Sequence, residues 1–281
     1  MRIMHRVAFA ATADERRELE ALGIRPSSVI AMPGDGNPFV ALDIGEDDPK
    51  WPQLQVLLRK WGQSEHHVTT EFTKDEIESG HWLTIGAWHH GYPQPNELDF
   101  GFLQATYDLT DYCDRCGIGL KQKAPFQMKR EPKWGTRGIL QMNWVFDEIF
   151  VRPKIWSSIF EPHHVACRPV TDRRGAELES VVQLVVEEKV SLVTEGLARR
   201  EPCVACQRVK YLPVARGFFP PLTAQPAGAI VKTHEYFDPA AGPHQAVLVS
   251  HDLCRALVDA KVRGASFWPV QSVRSNQETR I

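Results

Sequence analysis

A chain of 281 residues with 43% hydrophobic and 24% charged residues has the make-up of a globular protein of one large or two ordinary domains. No apolar run approaches the ~20 residues of a membrane-spanning helix, so no membrane partner is expected. The net charge of −2 excludes a strongly basic or acidic chain, but it is unevenly spread, at −7 over residues 1–105 and +5 over residues 106–281. That asymmetry suits two domains with different partners, two halves that attract each other, or two ordinary solvated surfaces.

Basic Arg2 and Arg6 ahead of Val7-Ala8-Phe9-Ala10-Ala11 outline a signal peptide. The apolar run is short, however, and Asp14-Glu15-Arg16-Arg17 follow at once, so a first strand over 5–11 is expected instead. A reducing cytoplasm is then the expected compartment. Thr12 and Glu15 make a capping box that opens a helix through about Leu22, where Gly23 ends it. Strands are predicted at 29–32 and 39–44, a helix from Trp51 to Gly62, and a strand at 67–72. A second capping box at Thr73–Glu76 and a strand at Trp82–Trp88 follow. This alternation predicts an α/β domain over residues 1–95, with its boundary in Gly91-Tyr92-Pro93-Gln94-Pro95-Asn96. Residues 96–281 form the second expected domain, and an α+β layout is the alternative for the chain.

Two cysteine couples dominate that second half, Cys113-Asp114-Arg115-Cys116 and Cys203-Val204-Ala205-Cys206. A C-x-x-C turn lets two thiolates meet one ion, and two such turns supply the four soft ligands of a closed tetrahedral zinc site. Residues 117 to 202 separate them, 86 in all, so one shared ion would clasp a large loop. A redox C-x-x-C and an iron–sulfur cluster are the other chemistries open to these thiols. Cys167 and Cys254 sit among apolar neighbours and read as small core residues.

Each couple is followed by a strand–helix–strand pattern ending in Pro-Val, over 148–170 and 246–270. The pair predicts a duplicated β-α-β unit, so that the chain runs knuckle, unit, knuckle, unit. Between the first couple and the first unit lie Lys121, Lys123, Lys129, Arg130, Lys133 and Arg137, interleaved with Phe126 and Trp134. Phosphate contacts with base stacking, or one solvated face beside a knuckle, are the two readings of that stretch.

The double couple and the closing pattern Ala229-Ile230-Val231, Val247-Leu248-Val249-Ser250 and Gly264-Ala265-Ser266-Phe267-Trp268-Pro269-Val270 resemble the double-CxxCG paralogous family known best from myxobacteria. The resemblance covers 113–270 and departs at Gln207, where the family motif has Gly. It implies metal ligands at Cys113, Cys116, Cys203 and Cys206 and supplies no catalytic residue. Some members of that family look like immunity proteins of contact-delivered toxin systems, which implies a toxin as partner.

The adjacent histidines His66-His67, His89-His90 and His163-His164 read as surface or capping residues, and those of the N-terminal domain, with Glu71 and Asp99, are alternatively the makings of a two-His-one-carboxylate centre there. No phosphate loop, nucleophile elbow or zincin motif is present. The expected function is that of a non-enzymatic zinc-binding scaffold or binding protein, with nucleic-acid binding or processing as the alternative. The acidic first half and the loop Arg216-Gly217-Phe218-Phe219-Pro220-Pro221 are the candidate contact surfaces.

Overall fold

A computed structural model describes residues 1–34, 36–63, 66–95, 100–239 and 242–272. Helices and sheets are mixed, as an α/β chain requires, and the chain divides into two compact units.

The first unit comprises Met1–Lys74 together with Val214–Gly217. Its elements are β1 (Arg2–Ala10), α1 (Ala13–Ala21), β2 (Ser28–Ile30), β3 (Phe39–Gly45), α2 (Trp51–Lys60) and β4 (His67–Glu71). The sheet order is β2-β3-β1-β4 with every pairing antiparallel, which is the ferredoxin-like βαββαβ arrangement. The capping box is present: Glu15 N–H donates to the Thr12 hydroxyl at 3.2 Å and Thr12 N–H donates to the Glu15 carboxylate at 2.6 Å. In β1 every second side chain turns inward, and Val7 and Phe9 pack with Val40, Leu42 and Ile44 of β3. Leu19 of α1 and Trp51, Leu54 and Leu58 of α2 complete this core. The later segment is tied in through Thr70, whose hydroxyl donates to the Ala215 carbonyl at 3.0 Å and accepts from Gly217 N–H at 3.0 Å.

The second unit holds the rest of the described chain. After α3 (Lys74–Glu78) come β5 (Trp82–His89), α4 (Phe102–Thr106), β6 (Tyr107–Asp108), β7 (Lys121–Gln122), β8 (Ile139–Met142) and β9 (Val145–Val151). A short α-turn α5 (Pro153–Ile155) runs on through a π-helical and a 3₁₀ turn to His163. Then follow β10 (Cys167–Thr171), β11 (Glu177–Leu184), β12 (Lys189–Val190), β13 (Lys210–Tyr211), β14 (Ile230–Phe237), β15 (His244–Ser250), α6 (His251–Asp259) and β16 (Ala265–Pro269).

One sheet organises this unit, and it branches at β5. That strand pairs antiparallel with β15 along one edge, and along the other antiparallel with β16 and, further on, parallel with β8. Here the expected boundary at residue 95 is corrected: Trp82–His89 is a central strand of the second unit, and the first unit ends at Lys74. Leu83 and Ile85 are buried in the second unit's core, so the strand's apolar pattern answers to that sheet. Asn96 of the predicted boundary lies outside the described residues.

Both stretches singled out as β-α-β units are split. β9 and β10 run parallel with β11 between them, and β15 and β16 run parallel with β5 between them. Their helices differ: α6 is regular and capped by Ser250, which accepts from Leu253 N–H at 3.3 Å, whereas 153–163 is irregular. The sheet is covered on both faces. Along β9, Ile149 and Val151 pack with Leu253 and Leu257 of α6, while Phe150 turns to Phe126, Trp134 and Val170 on the other side. Burial on both faces is why Ile149-Phe150-Val151 reads as a continuous apolar run.

Candidate metal centre

Each cysteine couple caps a short antiparallel pairing. β6 pairs with β7 below Cys113 and Cys116, and Arg199 pairs with Tyr211 below Cys203 and Cys206. The turns repeat each other bond for bond. Cys113 N–H donates to the Ile118 carbonyl at 2.9 Å and Gly117 N–H to the Cys113 carbonyl at 2.7 Å. In the second knuckle Cys203 N–H donates to Arg208 at 3.0 Å and Gln207 N–H to Cys203 at 2.7 Å. The turn demands a left-handed residue after each second cysteine, with φ of 79° at Gly117 and 60° at Gln207. Gln207 therefore occupies a conformation that suits glycine, at a cost the fold carries.

The knuckles bring all four predicted ligands together. The sulfurs of Cys113, Cys116, Cys203 and Cys206 lie within 4.8 Å of one another, with Cys113–Cys203 at 3.8 Å and Cys116–Cys206 at 3.5 Å. A tetrahedron with metal–sulfur bonds of 2.3 Å has edges of about 3.8 Å, so the set could hold a metal ion. Disulfides are excluded, because an S–S bond is about 2.05 Å and all six cysteines are free thiols. The Cys203 thiol is held at about 6 by the N–H groups of Cys206 and Ala205. Burial pushes Cys116 up to about 12. Four adjacent sulfurs resist joint ionisation, and a cation at their centre is what lets all of them be thiolates.

A second set of contacts joins the knuckles without metal. The Arg208 guanidinium donates to the carbonyls of Asp111 and Ile118 at 2.8 and 3.0 Å, and to the Asp111 carboxylate at 2.5 Å. Gly119 makes room for it, since a Cβ there would stand 1.9 Å from the Asp111 carbonyl oxygen and 2.7 Å from the guanidinium. Lys210 pairs with Asp238 at 2.7 Å and reaches the Cys116 carbonyl at 3.4 Å. Sequence reasoning missed both cations. The 90-residue offset that equates Cys113 with Cys203 and Ile118 with Arg208 is the signal that points to Arg208.

Other expectations fare less evenly. Lys121, Lys123, Lys129, Arg130, Lys133 and Arg137 are all exposed, but Phe126 and Trp134 are core residues and offer no ring to a base. The Trp134 indole N–H donates to the Ser180 carbonyl at 3.0 Å. His89 and His90 lie in the second unit and Glu71 in the first, while Asp99 lies outside the described residues. Among the described residues, the four cysteines are the one cluster of His, Cys, Asp or Glu able to hold a metal. Cys254 is buried, and its thiol is raised to about 11 by that burial, as suits a packing residue. In the Arg216–Pro221 loop, Phe219 packs on Phe237 with ring centres 5.4 Å apart, so it belongs to the core rather than to a contact surface.

No family model, curated protein or solved structure matches the chain. What fold and site define is a class: a two-unit α/β protein whose four thiols, drawn from opposite ends of a long loop, can bind one metal ion. Among the described residues, no helix is long and apolar enough to cross a membrane.

Proposed function

We propose that this chain is a non-enzymatic binding protein of the cytoplasm, clasped by one structural zinc ion, that neutralises a toxin as an immunity protein. The convergence of four thiols carries this reading. Thiolate sets select soft or borderline ions, and a four-sulfur tetrahedron leaves no open position for a reacting water. Such an ion holds shape. The likeness of the cysteine couples and of 229–270 to the double-CxxCG family supports the immunity role, and the −7 charge of residues 1–105 supports a basic partner surface. Co-expression with the protein that co-purifies with it from the native host tests it. Survival of the host and a one-to-one complex are expected; killing at undiminished rate with no complex would overturn it.

Nucleic-acid binding is the second reading, favoured by the exposure of all six cations between 121 and 137. With Phe126 and Trp134 buried, it would be a phosphate-contact mode without stacking, and hence steeply salt-dependent. Retarded migration of RNA or DNA at low salt, abolished by neutralising Lys129, Arg130 and Lys133, supports it; no retardation at low salt removes it.

A further inference from the structure

A cavity of about 400 Å³ opens beside the first knuckle. Trp144, Phe146 and Glu148 line it, Phe146 and Glu148 from one face of β9 and Trp144 from the turn that precedes it. Trp144 breaks a local rule. Met142 pairs with Val145, so Asn143 and Trp144 are the two hairpin residues, and Trp144 has a φ of 68°. That position ordinarily takes glycine or asparagine, and a bulky side chain there is strained. The indole nevertheless stays 41% exposed at the mouth, stacked with Tyr92 at 6.2 Å and edge-on to Phe100 at 5.7 Å. A strained residue whose ring stays two-fifths exposed at a cavity mouth marks a ring held out for contact.

The floor is polar and built. Glu148 and Lys232 are buried as an ion pair at 2.6 Å. Gln183 donates to the second Glu148 oxygen at 2.9 Å, and it exchanges amide hydrogen bonds of 2.7 and 2.9 Å with Gln122. Lys232 carries three donors, and among the described residues Glu148 takes one. Around this pair stand Lys121, Arg168 and Lys189 against Asp147 and Glu187. None of these five makes an ion pair among the described residues, so the wall carries one surplus positive charge. Burial and the neighbouring Lys232 hold the Lys189 ammonium below the usual lysine range, a crowding that a bound anion relieves.

The geometry points to a binding site for a small anion carrying a planar ring, its ring against Trp144 and Phe146 and its acidic group toward Lys189 and Lys232. A nucleoside monophosphate and an aromatic carboxylic acid share that chemistry. This site does not depend on the partner reading above, since every residue in it could serve a protein that binds no toxin.

Titration calorimetry of the full chain tests it, with AMP and UMP in one arm, indole-3-acetate and benzoate in the other, and inorganic phosphate and acetate as ringless controls. Ring-bearing anions in one arm should bind at least about tenfold more tightly than the controls, and the tighter arm identifies the source. Trp144→Gly supplies the residue the turn prefers, so it should keep or raise the melting temperature while weakening binding about tenfold. Lys189→Gln should weaken it in the same sense. Equal affinity for ringed and ringless anions, no binding in either arm, or unchanged binding by a folded Trp144→Gly variant would overturn the proposal.

Discussion

Arg208 and Ile118 hold the same place in the two knuckles, 90 positions apart, and the guanidinium of one donates to the carbonyl of the other at 3.0 Å. Each carbonyl also accepts from the first cysteine of its own turn. Arg208 therefore orients both thiol couples, with or without an ion. Arg208→Ala should lower the melting temperature and shorten the time over which a chromophoric chelator strips the metal. Arg208→Lys should fall between, because it keeps a charge for Asp111 but loses the forked reach to two carbonyls. A variant matching the parent in both measurements contradicts the role.

Gln207 and Gly117 are the same turn residue with opposite expectations. Gln207→Gly removes a left-handed glutamine and should stabilise the protein by about 1 kcal/mol. Gly117→Ala should destabilise it by about 1–3 kcal/mol, since it adds a Cβ at φ 79°, 2.9 Å from Pro243. Denaturant titration of the two variants reads the signs directly.

The Glu148–Lys232 pair is buried on both sides, so breaking it differs from replacing it. Lys232→Met alone leaves an uncompensated carboxylate and should cost about 3–5 kcal/mol. The double change Glu148→Leu with Lys232→Met should recover most of that loss in the same denaturation assay.

His5 sets the pH response of the first unit. Its ring is buried against Trp51, with centroids 3.9 Å apart, and bonds to Glu46 at 2.9 Å through Nε2, while Nδ1 is buried without a partner. Burial holds its pKa below the ordinary value of 6.5. The unfolded chain thus takes up a proton before the folded one does. Stability from the neutral ring is complete above pH ~6.5 and is lost as pH falls through the depressed folded value. Hydrogen exchange between pH 7.5 and 5.5 should show β1 and β3 losing protection as acid is added, and His5→Phe should flatten that slope.

What sequence could show here divides along physical lines. Thr12 with Glu15 is a local contact, and local contacts are legible: the capping box and helix stand where they were predicted. The cysteine couples were legible because C-x-x-C is a short motif with few uses. Trp82–His89 was misassigned because alternating elements reveal that a strand exists and not which sheet it joins. Phe126 and Trp134 among lysines look like a nucleic-acid face until burial is known. Glu148 meets Lys232 across 84 residues, and no spacing rule spans that distance.

Elemental analysis of protein purified without added metal tests the clasp most directly. About one zinc per chain is expected, with loss of that zinc when Cys113 and Cys203 are changed together to Ser. Protein free of metal whose four knuckle thiols react at once with a thiol reagent, or protein carrying iron with visible absorption, would contradict it.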